Sequence, residues 1–135
     1  MINKLSEEIH AINVKNGFFE DEKNIGEMLC LVHSEVSEAL EADRKGLYYP
    51  KEVTEFNVGM MVMSKFSNSN EYAVEDSDFK SQFEKSTKDT FEDELADIMI
   101  RVMDLAKFKG INLEEHIKAK MRYNSLREYK HGKKY

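Results

Sequence analysis

The sequence predicts an all-α fold, and three observations carry that prediction. Apolar residues recur at three- and four-residue spacing along most of the chain, the period that lines one face of a helix. Glycine or asparagine stands where those periodic stretches stop. The single proline is Pro50, and no Val/Ile-rich alternation bounded by turns marks a strand.

The first helix is predicted from Ile2 to Lys15, with Ile2, Leu5, Ile9 and Ile12 on its inner face and Asn16-Gly17 as the stop. The second runs from Asn24 to Lys45. Asn24 is its cap, Glu27 completes a capping box, and Gly46 sits at the C-terminal position. Ile25, Met28, Leu29, Leu31, Val32, Val36, Ala39 and Leu40 leave little of it polar. Cys30, among these residues, reads as a core thiol. Residues 47 to 89 form a variable insert, with a methionine-rich stretch at Phe56–Phe66, loop signals at Ser67–Asn70 and Asp76–Asp78, and a short helix around Phe79–Glu84. Thr90 caps the third main helix, with Glu92, Asp93 and Glu94 where acids suit the dipole. Leu95, Ile98, Met99, Val102, Leu105 and Ala106 form its apolar face, and Gly110 ends it. Asn112 and Glu115 open the fourth helix, which points Leu113, Ile117 and Met121 inward and fades near Tyr129.

A chain of 135 residues suits one domain able to bury its own core. It holds 41% hydrophobic and 34% charged residues, with no apolar run long enough for a membrane span and no signal-peptide core at the start. One cysteine excludes an internal disulfide and a Cys-rich zinc site, and fits a reducing, cytoplasmic setting. The net charge of −6 disfavours a nucleic-acid polymer, but the average conceals a partition. Residues 116–135 carry seven Lys or Arg against Glu128 alone, a surplus of +6, while residues 1–115 carry −12. From charge alone the tail is either a solubilising end or an anion-binding arm.

Two carboxylate pairs stand out: Glu35 with Glu38, and Glu94 with Asp97. The i, i+3 spacing puts both members of a pair on one helix face. Glu35 and Glu38 fall on the stripe of Met28 and Leu31, and Glu94 and Asp97 border Leu95 and Ile98. Acids in a core-facing stripe are costly unless paired, protonated or metal-bound. Four of them from two helices would call for a hard divalent cation, Mg²⁺ or Mn²⁺, since all the donors are oxygen. The alternative is a solvated face, because 26 acids produce such spacings by chance. Lys120, Asn124, Arg127 and His131 follow at intervals of four, three and four, with Lys133 and Lys134 behind them. An acidic metal site and a cationic arm together suit a polyphosphate. A basic helix end complementing the dipole is the plainer account of the tail. His33, about 200° round the helix from Glu35, reads as a core or interface hydrogen-bonding residue.

These stretches resemble the MazG-like branch of the all-α nucleoside triphosphate pyrophosphohydrolases, whose hallmark is an E-x-x-E helix followed by an E-x-x-D helix. Here they are His33–Ala42 (HSEVSEALEA) and Phe91–Arg101 (FEDELADIMIR). The likeness extends to Ile9-His10, Lys15–Phe19 (KNGFF), Lys120–Asn124 (KMRYN) and Lys130–Lys134 (KHGKK), about two-thirds of the chain. Two departures stand out: Phe19 replaces a frequent Trp, and 56 positions separate Glu38 from Glu94.

The resemblance implies a four-helix MazG-like bundle with a long insert between the two acidic helices. It implies Mg²⁺-dependent hydrolysis of a (deoxy)nucleoside triphosphate to the monophosphate and pyrophosphate. Glu35, Glu38, Glu94 and Asp97 would bind the metal, with Glu38 nominated as the base that activates water. Lys120, Asn124, Arg127, Lys133 and Lys134 would hold phosphates, and His10 and Phe19 would face the base. A homodimer or dimer of dimers is implied, which the eight methionines also suit. The competing expectations are a related enzyme acting on phosphoribosyl-ATP and a non-catalytic nucleotide-binding module.

Overall fold

The computed structural model describes residues 1–50 and 76–127. Among them are five helices and no strand: α1 Ile2–Lys15, α2 Ile25–Lys45, α3 Asp76–Ser86, α4 Phe91–Phe108 and α5 Leu113–Ser125. The all-α class is therefore as the periodicity predicts. The expected features at Phe56–Phe66 and Ser67–Asn70 lie outside the described residues, as do Lys130, His131, Lys133 and Lys134.

Helix ends follow local chemistry. Asn24 caps α2 by accepting from the Gly26 N–H at 2.7 Å. At the other end Gly46 N–H reaches the Asp43 carbonyl and Leu47 N–H the Ala42 carbonyl, at 3.0 and 2.9 Å. That pair of bonds is a Schellman motif, which requires the left-handed backbone that Gly46 adopts at φ +68°. The same motif closes α4 at Gly110. Thr90 caps α4 through the Asp93 N–H at 3.3 Å, and the Asp93 carboxylate accepts in return from Asp89 N–H at 3.0 Å. Asn112 caps α5 by accepting from Glu115 N–H at 3.3 Å.

Two element boundaries differ from expectation. Asp76–Asp78, read as a loop, forms the first turn of α3, where two acids complement the positive end of the dipole. The fourth main helix stops at Ser125 rather than near Tyr129. There Ser125 Oγ donates to the Arg122 carbonyl at 2.7 Å, and Leu126 and Arg127 make tighter three-residue bonds that wind the helix down.

Backbone packing divides the chain into two compact units. The first joins residues 1–32 to residues from Met99 onward. Its buried apolar residues are Ile9, Met103 and Ala106. Helix α1 meets the C-terminal part of α4 through Glu7–Lys107 at 3.1 Å and through His10 and Asn13 on Asp104. It meets α5 through Asn3, which donates to Asn112 and accepts from Glu114 N–H. The bond from Lys118, above all, holds the Glu114 carboxyl down to about 2.

The second unit spans His33 to Ile98, with Ala39 and Ala42 as its buried apolar residues. The chain leaving α2 is tied to the start of α4. Phe91 N–H donates to the Leu47 carbonyl at 2.8 Å, Tyr49 N–H to Glu92 at 2.8 Å, and the Tyr48 and Phe91 rings meet at a tilt with centroids 5.4 Å apart. Tyr48 also donates its hydroxyl to Asp43.

Several residues expected inside are exposed. Cys30 is exposed rather than a core thiol, and so are its neighbours Leu29 and Leu31. His33 is exposed as well. Leu5, Ile12, Val36, Leu40, Leu95 and Met99 are also open, and Met121 is 66% exposed. On α2 the cause is quantity: its apolar residues occupy more of the helix than the side that holds the buried Glu35, Ala39 and Ala42.

Candidate metal centre

Three of the four nominated carboxylates converge within the second unit. Glu35 and Glu38 on α2 and Glu94 on α4 each place an oxygen so that all three atoms lie within 4.8 Å of one another. Glu35 and Glu94 are buried and Glu38 is exposed. The helical register produces this arrangement. Glu35 shares its face with the buried Ala39 and Ala42, whereas Glu38 lies at the edge of that face and reaches solvent.

Glu94 is the most strained member electrostatically. Its carboxyl is pushed up to about 7, first by burial and then by the charges of Glu38, Glu35, Asp93 and Asp97. Its Oε2 is buried without a hydrogen-bond partner. Burial also raises Asp93, the acid just before Glu94 on α4. Asp97, one turn beyond Glu94, is half-buried and stands outside the group of three, although its charge is felt there. Removing a buried negative charge from such a cluster requires a proton or a cation. The donors are all oxygen, and one buried oxygen is unsatisfied, so the residues fit a hard divalent ion.

The remaining nominees form two local groups in the first unit. His10 and Phe19 meet edge to face at 4.7 Å. Lys120 and Arg127 both lie over the Tyr123 ring, at 4.9 and 5.8 Å from its centre, and Asn124 is exposed on the same helix. Lys133 and Lys134 lie outside the described residues.

Four participants escaped the sequence reading: Asn13, Asp104, Phe108 and Tyr123. Asp104 carried the same signal that exposed Glu35, an acid inside the apolar run Val102-Met103-Leu105-Ala106. Asn13 sits three residues after His10, on the same helix face. Tyr123 carried no signal beyond lying three residues after Lys120.

Comparison of the chain with protein-family models, with curated proteins and with solved structures finds no match. Among the described residues no helix is long and apolar enough to cross a membrane.

Proposed function

We propose that the protein is a MazG-like, Mg²⁺-dependent pyrophosphohydrolase that cleaves a (deoxy)nucleoside triphosphate to the monophosphate and pyrophosphate. One observation carries this reading: Glu35, Glu38 and Glu94 bring one carboxylate oxygen each within 4.8 Å of one another, where Glu94 also keeps a buried oxygen without a hydrogen-bond partner. Glu35, Glu38 and Glu94 would hold the ion, Mg²⁺ or in its place Mn²⁺, with Asp97 as the fourth carboxylate. When bound, such an ion neutralises phosphate charge and polarises the anhydride. Glu38 is the solvent-exposed member, so it takes the proton from the water that attacks the α-phosphorus. Glu35 and Glu94, held by burial, keep their positions and supply the charge that retains the cation.

In this reading α1, α2, α4 and α5 count as the four helices of the family and α3 belongs to the insert. Lys120, Asn124 and Arg127, with the terminal Lys133 and Lys134, bind the triphosphate, while His10 and Phe19 face the base. The exposed apolar stripe Leu29, Val36 and Leu40 on α2 suits a partner subunit, giving a homodimer or a dimer of dimers. The substrate is a single nucleotide, not a nucleic-acid polymer.

The test is pyrophosphate release from a panel of canonical and modified nucleoside triphosphates with Mg²⁺. Stoichiometric monophosphate and pyrophosphate are expected. Release from none of them, with nucleotide still bound, would replace the enzyme by a binding module.

A further inference from the structure

Glu35 and Glu38 stand on α2 and Glu94 on α4, and 56 positions of chain separate Glu38 from Glu94. Their convergence depends on how α4 is turned and seated against α2. Apolar packing fixes that weakly, since Ala39 and Ala42 are the only buried apolar residues of this unit among the described residues. A methyl group adds contact but little of the shape that specifies a single arrangement. Directional bonds come from the three residues that leave α2. Phe91 N–H is one of the amides that a helix start leaves without an internal partner, and the Leu47 carbonyl accepts it at 2.8 Å. Two residues on, Tyr49 N–H donates to Glu92 Oε2, also at 2.8 Å. Tyr48, between them, sets its ring against Phe91 and donates its hydroxyl to Asp43 near the end of α2. Leu47 and Tyr49 thus hold α4, while Tyr48 spans from α4 back to α2.

Glu92 is exposed and Glu94 buried, as a separation of two residues, about 200° round the helix, arranges. A rotation of α4 about its axis carries both side chains through the same angle. The bond from Tyr49 therefore holds the bearing of Glu94 from the far side of the helix. A metal-binding set of side chains tolerates displacements of only about 0.5 Å.

We propose that Glu92 is a positioning residue for the carboxylate site: by accepting the Tyr49 N–H it locks the rotation of α4, and so aims Glu94 at Glu35 and Glu38, while Tyr48 fixes the seat on α2. The inference rests on the reading of those three acids as a divalent-metal centre. An acid at this place has two other roles open to it, complementing the helix dipole and attracting a cation through space. Both of those need the charge. Positioning needs an oxygen that accepts, which an amide also carries. Glu92→Gln keeps that oxygen and removes the charge, whereas Glu92→Ala removes both.

Two measurements, on protein whose circular dichroism shows full helicity, decide it. Paramagnetic resonance of free Mn²⁺ reads the affinity of the site for the metal alone. Distances between spin labels at Ser37→Cys on α2 and Ala96→Cys on α4, both exposed positions, read the seating of the helices without metal. The labelled protein also carries Cys30→Ser and is diluted with unlabelled chains, so that only distances within one chain are recorded. Glu92→Ala is expected to bind Mn²⁺ about tenfold more weakly, the weight of one net hydrogen bond, and to shift or broaden the distances. Glu92→Gln is expected to keep the wild-type distances and an affinity within about threefold of wild type, as befits an exposed charge. If Glu92→Ala fails to fold, Tyr48→Ala, which removes ring and hydroxyl but leaves Glu92, is expected to give the same two changes. The proposal falls if the alanine variant keeps the wild-type affinity or the wild-type distances, or if Glu92→Gln is as weak as Glu92→Ala. Wild type that binds no Mn²⁺ would overturn the metal centre, and the distances would then decide the positioning role by themselves. Mn²⁺ bound without pyrophosphate release from any nucleotide would overturn the hydrolase reading and leave the positioning role standing.

Discussion

Glu35 on α2 and Glu94 on α4 are each 5% exposed, and their carboxylate oxygens come within 4.8 Å of one another. Two buried acids at that separation repel, and such a pair is costly unless its charge is paired, protonated or bound to a cation. Glu94 gives way: burial first, then Glu38 and Glu35, lift its carboxyl to about 7. Near neutrality a proton and a cation therefore compete for the same oxygens.

The pH dependence of stability follows. The Glu94 carboxyl sits at about 7 when folded against an ordinary 4.5. Between those values the native chain holds a proton that the unfolded chain has released, so stability falls as pH rises. The contribution is fully present below about 4.5 and lost as the pH climbs through about 7. The melting temperature of metal-free wild type, minus that of Glu94→Gln, should fall across this window. A flat difference would mean that Glu94 is not protonated near neutrality.

Metal binding should work in the opposite direction on the same group. An ion that binds only the folded protein stabilises it, by about 2.7 kcal/mol at a hundredfold excess over Kd. Mg²⁺ at pH 8 is expected to raise the melting temperature of the wild type, and chelation to reverse the rise. Glu94→Gln should melt higher than wild type without metal, having shed a buried charge, and lose most of the Mg²⁺ response. An equal Mg²⁺ response in both proteins would remove Glu94 from the site.

The fold was legible where the signal was local. Ile2–Lys15 was bounded correctly because its stop lies in the neighbouring Asn16-Gly17, and Thr90 and Asn112 announced their helices by side chains that accept nearby N–H groups. Burial was less legible. Met28 and Leu31 share a predicted stripe, yet Met28 is half-buried and Leu31 exposed, because coverage depends on which helices meet and not on periodicity. The site shows the same division. The spacing put Glu35 and Glu38 on one face, but only tertiary packing buries the first and leaves the second in solvent. Asp104 interrupts an apolar run as Glu35 does, but its partners His10 and Asn13 lie 94 and 91 positions away on α1, where spacing within α4 does not reach.

Turnover should separate the carboxylate roles. Glu38→Gln removes a base and a metal ligand together, so pyrophosphate release should fall at least a hundredfold, in the range typical of a lost general base. Asp97→Asn should also fall steeply while circular dichroism stays helical. Full activity in both variants would sink the four-carboxylate assignment.

The end of α2 allows a prediction free of any functional reading. Gly46 adopts φ +68°, and a Cβ added there meets nothing within 4 Å. Gly46→Ala therefore carries only the backbone cost of left-handed geometry, about 1 to 2 kcal/mol. Urea unfolding of the two proteins checks this, and an unchanged midpoint would mean that the Schellman closure at Ala42 and Asp43 is not maintained in solution.

The stripe Leu29, Val36 and Leu40 bears on assembly. The three residues are 54%, 48% and 48% exposed, and their spacing of seven and four puts them on one side of α2. Among the described residues no large side chain is fully buried, so the isolated chain leaves much of its apolar surface wet. A second copy covering this side would gain the burial that the single chain lacks. Leu40→Glu places a charge within that stripe while leaving the buried side of the helix, Glu35, Ala39 and Ala42, untouched. Wild type is expected to sediment as a dimer or tetramer and Leu40→Glu as a smaller species with its helicity retained. A monomeric wild type would remove the assembly from the proposal, and an unaffected oligomer in Leu40→Glu would place the contact on another face.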